Sequence, residues 1–163
     1  MSEPVKSNLN SLSVTDEKGV ARVNIAADLP DPVVEGEARH RDVKVSGIQL
    51  NDSQGNEIGG FGVIEGQRVG VLALDYLWHE AAVLYAADTP EGSQAGLVLS
   101  EKVEFKDGRF VRPHRRIELT VTEGSPSLVF KGKDGKPRLM IGLDENDEAY
   151  IKVIGKDGAE RRL

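Results

Sequence analysis

Short runs of alternating apolar and polar residues recur along the chain. Leu12 and Val14 alternate with Ser11, Ser13 and Thr15, and Val23 and Ile25 with Arg22 and Asn24. Ile117, Leu119 and Val121 alternate with Glu118, Thr120 and Thr122. A period of two sends the apolar side chains of a strand to one face, so these runs predict half-buried β-strands. Further strands are predicted at Ile48 and Leu50, Ile58 to Ile64, Arg68 to Asp75, and Leu97 and Leu99. Leu128 to Phe130, Leu139 to Leu143 and Tyr150 to Ile154 complete the set.

The breaks between runs carry turn chemistry. Asp16-Glu17-Lys18-Gly19 and Asp52-Ser53-Gln54-Gly55 each begin with Asp and end with Gly. Asp starts a type I turn, and the closing Gly takes the left-handed conformation of a bulge. Lys133-Asp134-Gly135 recurs as Lys156-Asp157-Gly158, at 157 − 134 = 23 residues, and Lys106-Asp107-Gly108 is a third copy. Asp-Gly predicts a two-residue hairpin in which both positions take positive φ. Arg22, Arg138 and Arg161 each follow a turn glycine by three residues. The copies are few and interrupted, which favours an antiparallel meander over a solenoid.

Three segments stand apart. Leu29 to Arg41 contains Pro30 and Pro32 and is expected to be a loop, because Pro removes a ladder donor. Gly59, Gly60 and Gly62 within one strand predict a bulge, a sharp bend or the close approach of another backbone. Asp75 to Asp88 fits an amphipathic helix, or two strands around a turn near His79. The rest of the chain favours strands there. The expected fold is all-β: an antiparallel hairpin meander closed as a barrel or sandwich. Residues 1–10 are expected to form a flexible lead-in, and residues 11–163 a single domain.

Composition changes this picture little. The 163 residues suit one domain, and 18 glycines with 5% aromatics favour turns over long helices. Without cysteines there is no disulfide framework, thiolate zinc site or cysteine nucleophile. Met1 to Asn10 lacks an apolar h-region and no run is long enough for a membrane helix. A cytoplasmic protein that binds no membrane is therefore expected. A net charge of −6 argues against nucleic acid as a partner.

One resemblance accompanies these residues. The strand–Asp16-x-x-Gly19-x-x-Arg22–strand unit, the segment Gly47 to Gly60 and the closing Asp-Gly-x-x-Arg pair resemble a group of uncharacterised bacterial all-β proteins. The resemblance implies the β fold and carries no activity. It breaks at Tyr76-Leu77-Trp78-His79, where a polar run is expected.

No motif for catalysis, metal or cofactor binding emerges. His40, His79 and His114 lack the spacing of a ligand set, and none sits in a His-Glu-x-x-His pattern. Asp144 to Glu148 fails the calcium-loop pattern, with Ala149 in place of Gly. No phosphate loop, dinucleotide fingerprint or Gly-x-Ser-x-Gly elbow occurs. Neither a cofactor nor a metal is expected.

Three groups remain as candidates. His79 beside Glu80 is a candidate acid–base pair. Tyr76, Trp78 and Tyr85 are candidates to line a ligand pocket. Arg112, Arg115 and Arg116, in the basic run 109–116, are candidates for an anion. The leading expectation is a non-enzymatic module that assembles with itself into a homo-oligomer, because strand edges must be covered. The competing one is a ligand-binding barrel or small enzyme, marked by a cavity of roughly 300 Å³ near Tyr76, Trp78 and His79.

Overall fold

A computed structural model describes residues 10–90, 92–102 and 111–163. The lead-in through Leu9, the turn Lys106-Asp107-Gly108, and Arg109 and Phe110 lie outside the described residues. Among those described, every regular element is a strand.

The strands are β1 (Ser11–Thr15), β2 (Ala21–Ala26), β3 (Val33–Val34), β4 (Glu37–Ala38), β5 (Val45–Asn51), β6 (Glu57–Ile64) and β7 (Val69–Asp75). Then come β8 (Glu80–Thr89), β9 (Gly92–Ser100), β10 (Arg115–Thr122), β11 (Ser125–Lys131), β12 (Pro137–Leu143), β13 (Ala149–Ile154) and β14 (Glu160–Arg162). Twelve of them form one antiparallel sheet in chain order, from β1 at one edge to β14 at the other. The all-β hairpin meander is as the sequence predicts. The sheet is not closed into a barrel, since β1 and β14 do not pair. The ambiguous segment 75–88 is strand, turn and strand, with Tyr76 N–H donating to the His79 carbonyl across the corner (2.9 Å).

Five corners share one geometry. The N–H of the fourth residue donates to the carbonyl of the first at Asp16/Gly19 (2.9 Å), Asp52/Gly55 (3.1 Å), Gly132/Gly135 (3.0 Å), Asp144/Asp147 (2.9 Å) and Gly155/Gly158 (3.1 Å). Each closing residue is left-handed: φ is 81° at Gly19, 86° at Gly55, 73° at Gly135, 62° at Asp147 and 86° at Gly158. The Lys-Asp-Gly corners are therefore four-residue turns opened by Gly132 and Gly155. They are not the two-residue turns that Asp-Gly suggested. Two-residue corners with positive φ throughout fall instead at Glu35-Gly36 (52°, 79°) and Glu123-Gly124 (49°, 82°).

The turn aspartates are occupied by their own corners. Asp16 Oδ1 accepts from the N–H groups of Lys18 (2.9 Å) and Val20 (3.0 Å), and Asp144 Oδ1 from those of Asn146 and Glu148 (3.1 Å each). Arg22 lies 3.6 Å from Asp16, and Arg138 lies 2.6 Å from Asp134. Asp144 is closed by Arg162 at 2.9 Å. These carboxylates serve turn geometry, as expected from the sequence.

Glycines in β5 and β6 set the strand spacing. A Cβ on Gly60 would strike the Ile48 carbonyl oxygen, and one on Gly59 (φ 140°) the Ala73 carbonyl oxygen. The pairing of β5 with β6 slips between Leu50 and Asn51, a bulge beside Gly59. Gly60→Ala is expected to cost about 2 kcal/mol or more, because backbone must move to admit the methyl group. Gly158→Ala has open space and only its φ of 86° to oppose it, so about 1 kcal/mol is expected. Urea unfolding of the two variants measures the difference.

The alternation produces one continuous apolar face. Cross-strand pairing aligns Leu12, Ile25, Ile48, Phe61, Leu72 and Leu84 in one row. The row continues through Leu97, Leu119, Leu128, Ile141 and Ile151. A second row beside it runs from Val14 and Val23 through Leu50, Leu74, Leu99 and Ile117 to Val153. Neither row contains a polar residue from β1 to β13. Phe61, Leu74 and Leu84 are each 54% exposed. The only buried hydrophobic residues among those described are Leu29 and Val98.

Candidate functional site

The opposite face of the sheet has mixed polarity, and the segment between β2 and β5 folds over part of it. Leu29 N–H donates to the Val45 carbonyl (2.9 Å), Arg41 N–H to Asp31 Oδ1 (2.9 Å) and Gly36 N–H to Asn56 Oδ1 (3.4 Å). The Arg39 guanidinium lies 5.7 Å from the centre of the Trp78 ring. The predicted loop is thus a tied-down cover carrying the small β3–β4 hairpin. Beneath and beside it, Gln49, Asn51 and Asn56 are buried, Gln49 with only 2% of its surface exposed.

A polar cluster sits at the end of this covered region. Arg41 Nη2 donates to Glu57 Oε2 at 2.9 Å, and Gln49 Nε2 donates to the same oxygen at 3.3 Å. Asp75 closes β7 and Glu80 opens β8, so the corner between them brings both carboxyls to the cluster. Burial pushes the Glu57 carboxyl up, with Arg41 opposing. Burial and the charges of Glu57 and Glu80 raise Asp75 to about 7, again against Arg41. Arg41, Glu57, Asp75 and Glu80 line both a cavity of about 220 Å³ under the cover and an adjoining one of about 170 Å³. The first is otherwise mostly apolar, with Leu29, Val43, Val45, Val71 and Ala73 in its walls. Pattern reading passed over this cluster. Gln49 and Asn51 occupy the polar positions of an alternating strand, which reads as a solvated face.

The residues singled out from sequence are divided between several cavities. Tyr76, Trp78, His79 and Glu80 line the 170 Å³ cavity together. Trp78, His79 and Glu80 also border a cavity of about 340 Å³ that includes Arg112 and Arg115. Tyr85 lies apart from the other aromatics, in a groove of about 370 Å³ with Glu80 and Arg115. His79 packs edge-on against Tyr76, with ring centres 5.3 Å apart. Its Nδ1 lies 3.0 Å from the main-chain oxygen of Glu80.

The three arginines separate as well. Arg116 is engaged by Glu101 (2.9 Å) and by the Lys131 carbonyl (3.0 Å). Arg115 lies 3.8 Å from Glu118, which also holds Lys131 at 2.8 Å. Arg112 and Arg115 face the cavities, and Arg116 faces its own ion pair. Among the described residues, no three His, Asp or Glu side chains are grouped to hold a metal ion. No described helix is long and apolar enough to cross a membrane.

No protein-family model matches this chain, and no curated protein or solved structure is significantly similar to it.

Proposed function

We propose that this chain is a self-assembling β-domain whose apolar sheet face packs against the same face of a second copy. The observation that carries this reading is the unbroken apolar row from Leu12 to Ile151. Ten inter-strand steps of about 4.8 Å and two residue rows of about 7 Å each give on the order of 700 Å². That exceeds the usual largest apolar patch of a monomer, about 300–600 Å². It approaches the ~800 Å² that each partner contributes to a standard interface.

One further fact supports a second copy as the occupant. The two rows hold no charge from β1 to β13, so like faces stack without desolvating an ion. Two sheets packed face to face at about 10 Å form a sandwich core, which a single open sheet lacks. At one edge, Glu160, Arg161 and Arg162 in β14 discourage strand addition.

Light scattering and native mass spectrometry across a wide concentration range test the reading. A multiple of 17.7 kDa is expected at micromolar concentration. A clean monomer throughout would sink the idea, and flotation of that monomer with lipid vesicles would reassign the face to a membrane surface.

A further inference from the structure

We propose that the covered cavity beside Glu57, Asp75 and Glu80 is a binding site for a small organic cation, an ammonium group on a short apolar chain. Its charged lining, Arg41, Glu57, Asp75 and Glu80, belongs to the covered face of the sheet, although Ile48 and Phe61 of the apolar row also border it, so its test is kept separate from that of self-assembly.

The unmet polar atoms define the chemistry. Asp75 Oδ1, Gln49 Oε1 and Asn51 Oδ1 are buried acceptors without a partner, and Arg41 Nε is a buried donor without one. Gln49 is 2% exposed and reaches into the cluster through its bond to Glu57. Buried polar atoms in native proteins are almost always satisfied, so such a concentration marks a place for a further partner. Of the unmet atoms here, Asp75 Oδ1 and Arg41 Nε belong to residues that line the cavity, and the unmet acceptor at Asp75 is the place for a ligand that donates.

Charge points the same way. Three carboxyls, Glu57, Asp75 and Glu80, face one guanidinium, Arg41, and that guanidinium is already committed to Glu57. The other titratable groups beside the cluster, Tyr76 and His79, line the adjoining cavity. A donor carrying positive charge satisfies Asp75 and relieves its repulsion with Glu57 and Glu80. A neutral donor does only the first. The apolar walls, Leu29, Val43, Val45, Val71 and Ala73, suit a short hydrocarbon body.

The raised pKa of Asp75 supplies a signature. Bound ammonium favours the ionised carboxylate, so binding below pH 7 releases a proton. The apparent affinity is then expected to weaken by up to tenfold per pH unit below about 7 and to level off above it.

Calorimetry with n-butylammonium, n-butanol and butyrate tests the site in the full chain. n-Butylammonium is expected to bind, with proton release that scales with buffer ionisation enthalpy at pH 6, while butanol and butyrate bind at least tenfold more weakly. Asp75→Asn is expected to cost at least tenfold in n-butylammonium affinity and to abolish the pH dependence. Should that variant misfold, the proton release of the unaltered chain decides alone. Equal binding of butanol would reduce the cavity to an apolar hole. Tight butyrate binding would mean that Arg41 governs it, and no binding of n-butylammonium at 10 mM, or binding indifferent to pH, would overturn the proposal.

Discussion

Replacing Leu72 and Leu84 together by lysine is expected to turn a concentration-dependent oligomer into a monomer that unfolds at lower temperature. The two residues are cross-strand partners in the middle of the sheet, 42% and 54% exposed in the single chain. Burying a leucine contributes about 1.5–3 kcal/mol, so losing two removes about 3–6 kcal/mol per copy. Lysines within a stacked face would add the cost of desolvating charge. Because association is linked to folding, the unaltered protein should also unfold at a temperature that rises with protein concentration. The double variant should lose that dependence. Glu17→Lys, at an exposed corner, should leave both mass and midpoint unchanged. If Leu72→Lys/Leu84→Lys keeps the mass of the unaltered protein, the apolar face is not the contact.

Asp75→Asn is expected to stabilise the protein above pH 7 and to change it little near pH 4. Burial, with Glu57 and Glu80 adding to it, raises this carboxyl to about 7 in the folded chain. In the unfolded chain it ionises near 3.8. Between these values the folded state holds a proton that the unfolded state has released. Stability from this group is thus fully present below pH ~4 and falls as pH rises through ~7. The ceiling is about 1.4 kcal/mol per pH unit. Asp75 is only partly buried, so solvent screening reduces the total to on the order of 1–2 kcal/mol. Asparagine keeps the shape and removes the titration. Asp52, held low first by its bond from Asn56, and Asp144, held low first by Arg162, act in the opposite sense, since their stability is lost as pH falls. Comparing the variant with the unaltered chain by urea unfolding at pH 4.5 and pH 8 cancels those contributions. Equal curves at both pH values would mean that Asp75 is as accessible to water as an ordinary surface carboxylate.

The site was less legible in the sequence than the fold. His79 and Glu80 are neighbours in sequence, yet the ring nitrogen meets a main-chain oxygen. Tyr85 sits on β8 and Trp78 in the corner before it, and they face different cavities. Arg115 and Arg116 are consecutive, but the register of β10 slips between Arg115 and Ile117, and Arg116 is held by Glu101 while Arg115 lies beside Glu118. Arg41, Glu57 and Asp75, by contrast, come from three separated segments. Nothing local connects them until the cover folds back over β5.

Local chemistry by itself determined most of the backbone of this protein. Asp or Gly opening a turn and a left-handed residue closing it settled the corners, because those conformations depend on a few adjacent residues. Alternation settled the strands, because side chains project with a period of two whatever lies beyond them. Only the tertiary structure decided what each face meets. Gln49 became buried where a distant segment brings Arg41 to the Glu57 carboxyl it shares, and Asn51 where its amide meets the Ala21 carbonyl, while Leu72, Leu84 and their row stayed open because no described element reaches them. A period of two specifies that two faces differ. Which of them is covered depends on the path of the intervening chain, and that path is set by contacts between residues far apart in sequence.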